Sequence, residues 1–424
     1  MDTHRDTERC GGCTCHVYKP LGNYSTDTCL THLLDYIKTN SSQGLYTGMV
    51  LLDLQKAFDT VDHQILVNKL KNMGIGSVEW FSSYLSCRQQ IVEIDSVKSD
   101  PRNITCGVPQ GSILGPLLFL CYVNDMEISL GCKLMLYADD SVLLVSHKDP
   151  DHISNTLSHE LESCNKWLVD NKLSLHLGKT EAILFGSKRK LNKVKSFHVK
   201  CNDNIIKSSP VVKYLGLNID QTTSGSEIVN GIIKKVNGKI KFLYRQAKFL
   251  NFKTQKLLCN SLVQPNFDYA CSSWYSGLTI KHKNQLQVLQ NKMVRFLLNL
   301  DPRSHIGSIE LAEVGMLNVE QRVNQLKLNH IFKIFNNTSP SYLSQNFTRV
   351  SSFHNYSTRS SNYNFVVPRV QGIGTNTFYY SAIKLWNDMP NNIKCQQYKC
   401  SFKMSVKKYF LDKATNDENI YIYY

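Results

Sequence analysis

Residues 134–145 read LMLYADDSVLLV. Two apolar runs, LMLYA and SVLLV, flank Asp139 and Asp140. Their length and flanks predict a β-hairpin with both acids at its tip. Asp-Asp is also common in ordinary hairpin turns, where the side chains cap the backbone. The pair therefore has to be read with its neighbours.

Upstream, YTGMVLLD (46–53) predicts a short buried strand ending at Asp53, 86 positions before Asp139. An ionised carboxylate beside apolar strands is costly unless it is paired or bound to a cation. Three such acids converging would repel one another and draw a divalent metal between them. Two Mg²⁺ ions about 3.5–4 Å apart could activate an attacking hydroxyl and steady a leaving pyrophosphate. The ligands are hard oxygens, which suits magnesium.

Around these strands the spacing predicts helices over 27–39, 57–73, up to 85, and 157–169. It predicts a strand over 90–97, a Gly/Pro-rich turn over 107–115 opening an apolar helix to about 125, and short strands over 182–185 and 211–219. After Thr222 the pattern turns helical: 228–250, 253–263, 282–300 and 319–335. The tail from about 337 is rich in Asn, Ser and Tyr and weakly patterned. No repeat of solenoid period is present. The fold class is α+β: residues 1–23 unpatterned, 24–222 a mixed body, 223–300 a basic helical segment, and 301–424 a C-terminal region.

Apolar residues make up 42% of the 424, enough for a sizeable core. No stretch approaches the roughly 20 apolar residues of a membrane span. The N-terminus lacks an apolar signal region, and the 14 cysteines are scattered rather than framed. The expectation is an intracellular protein with reduced thiols, in nucleus or cytoplasm, neither secreted nor membrane-bound. Cys10, Cys13, Cys15 and His16 could be half of a zinc site, but they lie close together with no second cluster. The net charge is +15. Residues 24–222 carry 20 Lys and Arg against 21 acids, whereas 225–300 carry 12 against two, Glu227 and Asp268. Salt-bridge patterning cannot balance that segment, so a grip on phosphates is the better reading than a solvated helical face.

Five segments in order resemble consecutive motifs of reverse transcriptases: LLDLQKAFDTVDH (51–63), GVPQGSILGPLLF (107–119), LMLYADDSVLL (134–144), GKTEAILFGS (178–187) and VKYLGLNID (212–220). They are most similar to those of non-LTR retrotransposons of the jockey kind. FYYSAIKLWNDMP (378–390) also resembles the C-terminal ends of such elements. The resemblance implies a right-hand polymerase, with a palm and partial fingers over 24–222 and a thumb over 223–300. It implies RNA template, DNA primer and dNTPs as partners, and two Mg²⁺ ions as cofactors.

By the same resemblance, Asp53, Asp139 and Asp140 are the catalytic and metal-binding acids, and Leu54 lends a backbone carbonyl. Phe58 stands at the steric gate that disfavours a ribose 2′-OH; otherwise it is a core Phe. Gln110 and Gly111 lie beside the incoming nucleotide, or simply form a turn before a helix. Lys179 protonates the departing pyrophosphate, or is a surface lysine before a strand. Tyr214, Leu215 and Gly216 form the primer grip, which is compatible with an ordinary buried strand. Lys234, Lys235, Lys239, Lys241 and Arg245 track the nucleic-acid backbone. Only about 24 residues precede the matching region, so the chain reads as N-terminally truncated. Neither an endonuclease nor an RNase H domain is recognisable. Two rival readings remain: a catalytically inactive nucleic-acid-binding remnant, and a palm polymerase with another template or product.

Overall fold

In the computed structural model, residues 16–18, 24–352 and 362–421 are described. Cys10, Cys13 and Cys15 lie outside them, as does the side chain of His16. The chain divides into two compact units: Met1–Leu21, Tyr46–Leu184 and Arg189–Pro210 in the first, and Gly22–Leu45, Phe185–Lys188 and Val211–Tyr424 in the second.

The apolar runs that predicted strands pair with one another. A seven-stranded sheet is built from β1 (His16–Tyr18), β2 (Tyr46–Leu52), β3 (Lys133–Tyr137), β4 (Asp140–His147), β5 (Glu181–Phe185), β6 (Val199–Cys201) and β7 (Asn204–Ser208), in the order β1-β3-β4-β2-β5-β7-β6. β3 and β4 form the expected hairpin, and β2 runs antiparallel to β4. The helix Pro150–Asp170 buries Ile153, Leu157, Leu161, Cys164 and Leu168 on one face, the three-and-four spacing of an amphipathic helix. The helix Leu114–Val123 buries Gly115, Leu118, Phe119, Leu120, Tyr122 and Val123, which fits its nearly unbroken apolar sequence.

Some expectations fail for physical reasons. The helix expected from Ala57 begins only at His63, because Asp62 accepts the Ile65 N–H as its N-cap and residues 55–60 form turns, with Lys56 at φ +47°. The strand expected over 90–97 is instead two small hairpins, Gln89–Gln90 with Arg102–Asn103 and Glu93–Ile94 with Val97–Lys98. All of these residues are exposed, so the alternation there reflects no buried face. β6 and β7 had no sequence signal that was recognised.

In the second unit, the strands β8 (Val211–Tyr214) and β9 (Leu217–Asp220) form a hairpin, followed by helices Ser226–Gln246, Ile280–Leu298 and Val319–Phe335. The weakly patterned tail is packed, contrary to its composition. Phe378, Trp386 and Phe402 join Leu328, Ile331 and Phe332 in one apolar cluster. The Trp386 indole N–H donates to Tyr363 O at 2.7 Å. Among the described residues no helix is long and apolar enough to cross a membrane.

The first helix, Thr26–Ser42, is tied to this tail by charge. The Asp35 carboxylate accepts the N–H groups of Phe378 and Tyr379 at 2.7 and 2.8 Å, at the start of helix Phe378–Asn387. That placement suits the positive end of the helix dipole. The Lys38 ammonium donates to Ser273 O and Asn376 O at 2.7 and 3.2 Å. The Lys327 ammonium donates to the Ser276 and Ser381 hydroxyls at 2.6 and 3.2 Å. Burial pushes the Asp35 carboxyl up to about 6, although Lys38, the two backbone N–H groups and Lys327 oppose the shift. Burial pushes Lys38 down to about 8 against the pull of Asp35.

A carboxyl with a raised folded pKa loses stabilisation as pH rises. Asp35 should therefore contribute a falling slope from about pH 4 to about 6, at most about 1.4 kcal/mol per pH unit. Urea unfolding of wild type and Asp35→Asn should show the wild-type advantage shrinking across that window. A stability difference independent of pH would contradict this origin.

Candidate active site

The register of β2 against β4 ends at Leu52 opposite Ser141. One step further lie Asp53 and Asp140, so pairing carried on would put these acids opposite each other at the strand ends. Tyr137 pairs with Asp140, leaving Ala138 and Asp139 as a two-residue turn, with Ala138 in the left-handed region at φ +55°. Left-handed backbone at a non-glycine residue is uncommon and often marks a functional turn. The acid-bearing strand end is pinned from the other side as well. The His176 N–H donates to Asp53 O at 2.7 Å, and the Gln55 N–H to Ser174 O at 2.9 Å. Leu54 bridges to Leu175.

The acids share one electrostatic field. The Asp140 carboxyl is held above its ordinary range, first by partial burial and then by the negative charges of Asp139 and Asp53. The Lys179 ammonium lies 3.8 Å from the Asp53 carboxylate; both are well exposed, so the pair contributes little to stability. Asp53, Leu54, Lys56, Thr60, His176 and Lys179 line an open cleft of about 500 Å³. Among the described residues no three acidic, His or Cys side chains form a ready-made metal cage. The donors nonetheless fit a divalent cation in kind: hard oxygens whose mutual repulsion a cation would relieve.

Sequence reading missed His176, which sits in this cleft with its Nδ1 buried and no hydrogen-bond partner. Its position three residues before Lys179 was the available signal. Asp59 was missed too: its carboxylate accepts the Gln110 amide at 2.8 Å. Together with Arg88 and Cys106 they line a second cleft of about 580 Å³. Gly107 closes this region onto the acid-bearing loop. It holds φ +86°, and a Cβ there would lie 2.8 Å from Asp59 O, so only glycine fits. Its N–H donates to Val61 O at 2.7 Å, and the His63 ring bonds its carbonyl at the same distance. Phe58 packs its ring against Phe119 at 4.6 Å, and its carbonyl accepts the Val108 N–H. Gly111 is exposed at φ +81°. Asp62 is a structural acid, capping its helix and pairing with Lys172 at 2.6 Å.

The other expected residues lie in the second unit. Tyr214 is only 2% exposed, so its ring supports the β8–β9 hairpin from within, while Leu215 and Gly216 form the tip. The five cations of helix Ser226–Gln246 do not form one line. At 3.6 residues per turn, Lys234, Lys241 and Arg245 share one face, and Lys235 and Lys239 share another. The first three are exposed. The second pair lines a cleft of about 600 Å³ with Lys213, Gly216, Glu227 and Tyr269. The Lys239 ammonium also donates to Leu262 O and to the Asn266 side chain, at 2.9 and 3.1 Å.

Residues 15–219 match the family described as reverse transcriptase (RNA-dependent DNA polymerase). The chain is 28% identical over 278 residues to a probable RNA-directed DNA polymerase from transposon X-element of Drosophila melanogaster, covering 63% of this chain and 30% of that protein. It is 26% identical over 264 residues to the RNA-directed DNA polymerase from mobile element jockey of Drosophila funebris, covering 59% and 28%. These matches thus span less than a third of either relative's length. A telomerase structure from Candida tropicalis overlaps at a TM-score of 0.36 and 12% identity, covering 71% of this chain and 52% of that one. A score that low carries no argument.

Carboxylate coupling is measurable without turnover. Asp139→Asn should bring the Asp140 titration down toward the ordinary carboxylate range, leaving the parts due to burial and to Asp53. Carbon-detected NMR of the carboxyl resonances checks this; an unmoved midpoint would show that the two acids do not share a field.

Proposed function

We infer that this chain, whose residues 15–219 belong to the reverse transcriptase family, works as an RNA-directed DNA polymerase of the non-LTR retrotransposon kind. The observation that supports this most directly is the β2–β4 register, which carried one step beyond Leu52 and Ser141 sets Asp53 opposite Asp140 at the strand ends. The reaction is attack of a primer 3′-hydroxyl on the α-phosphate of a dNTP, in line with departing pyrophosphate.

Asp53, Asp139 and Asp140 would hold two Mg²⁺, with the Leu54 carbonyl as a further oxygen ligand. When bound, the ions supply the charge that acidifies the hydroxyl and steadies the triphosphate. The chain's own residues do the rest by placement. Lys179, beside Asp53 and exposed to the cleft, is placed to give a proton to the leaving pyrophosphate. Phe58 is backed by Phe119, so its ring has little room to retreat from a ribose 2′-OH. Gln110, held by Asp59, and Gly111 form the side of the nucleotide site. The Leu215–Gly216 tip holds the primer end, and the lysine-bearing helix grips phosphates without reading sequence. This reading places the protein in the nucleus or cytoplasm, with RNA template, DNA primer and dNTPs.

A nucleic-acid-binding remnant without turnover is the second reading. The exposed Lys234, Lys241 and Arg245 of helix Ser226–Gln246 support it, since they can bind phosphates whether or not the acids turn substrate over.

Oligo(dT) on poly(rA), with Mg²⁺ and dTTP, separates the two. Wild type should extend the primer, and Asp139→Ala should lose at least about a hundredfold in rate. Tight primer–template binding without extension would mean the remnant, and extension with UTP alone would mean another polymerase. Primer–template affinity should also fall steeply with salt; a flat salt dependence would contradict the phosphate grip.

A further inference from the structure

The tip of the β8–β9 hairpin has an unusual backbone. Tyr214 pairs with Leu217, so Leu215 and Gly216 form a two-residue turn. Both have positive φ, +43° and +80°. Tight hairpin turns ask for this conformation, but they normally use Asn, Asp or Gly at the first position. Leucine there is a strained choice, and such strain persists only where surrounding structure holds it.

That hold comes from Tyr269. Its hydroxyl donates to the Leu215 carbonyl at 2.5 Å. Its ring lies where it would meet a Cβ on Gly216 at 3.7 Å. Tyr269 is itself fixed. Its N–H donates to Pro265 O, and its carbonyl accepts the indole N–H of Trp274, which is 3% exposed. The next residue, Ala270, turns the chain at φ +49°. Tyr269 is 37% exposed and borders the same cleft as Lys213, Lys235 and Lys239.

We propose that Tyr269 is a positioning residue for the primer end: its hydroxyl and ring lock the Leu215–Gly216 turn in the strained conformation that the primer meets. The role of the turn rests on the polymerase reading above; the lock itself does not. Tyr269 acts through the turn and takes no part in the chemistry.

The test is Tyr269→Phe, which removes one oxygen and keeps the ring. Amide exchange at Gly216 and Leu217 should accelerate about two- to tenfold, the range of one net hydrogen bond, with the unfolding midpoint little changed. On oligo(dT)–poly(rA), the extension rate at saturation should drop several-fold, with KM for the primer–template within about twofold of wild type. Replacing Leu215 by Asn in the Tyr269→Phe background removes the strain and should restore slow amide exchange at Gly216 and Leu217; exchange that stays fast there would contradict strain as the reason the lock is needed. Unchanged exchange in Tyr269→Phe overturns the lock. Faster exchange with an unaltered extension rate overturns the positioning role. If wild type does not extend the primer, the polymerase reading fails, and the exchange result alone decides whether Tyr269 locks the turn.

Discussion

The antiparallel register between β2 and β4 is the constraint on which the functional reading depends. It runs from Tyr46 opposite His147 to Leu52 opposite Ser141. Both faces of these strands are buried: Met49, Val50, Val142, Leu143 and Leu144 are all at most 1% exposed. A slip of one residue would therefore set every one of them against neighbours of the wrong shape in a close-packed core. The same apolar packing therefore fixes where the chain must place its acids. Asp140 feels Asp53 because buried aliphatic residues hold the two strands in step.

Much of this was legible in the sequence. The hairpin with its two acids, the strand before Asp53, the helix Val319–Phe335 and the helical character after Thr222 all follow from local pattern. The facing of Asp53 and Asp140 was not legible from periodicity, since pairing between strands so distant is a non-local choice. The four lysines and one arginine of helix Ser226–Gln246 illustrate a different limit. Their number was plain, but a 3.6-residue turn spreads them over two faces, and only Lys235 and Lys239 border the cleft beside the hairpin tip.

Misreadings had local causes. Phe58 and Val61 stand at helical spacing, yet Lys56 turns the chain and Asp62 caps a later helix. Residues 90–97 alternate without burying a face. The C-terminal region has too little periodicity to announce a core. Its aromatics stand far apart in sequence: Phe378 and Trp386 sit at the two ends of one helix, Phe402 comes from helix Lys399–Tyr421, and all three join Phe332 in one apolar cluster. Asp35 and Lys38 bind the same region to the first helix, which sequence order would have assigned elsewhere.

The central claim is that distant carboxylates act together on a cation. Fe²⁺ bound in place of Mg²⁺ can be made to cut nearby backbone through hydroxyl radicals, which maps the site directly. Cleavage should fall around both Asp53 and Asp139–Asp140, be competed by Mg²⁺, and vanish from both places in Asp53→Asn. Cuts at only one of the two segments, or none above background, would contradict the account.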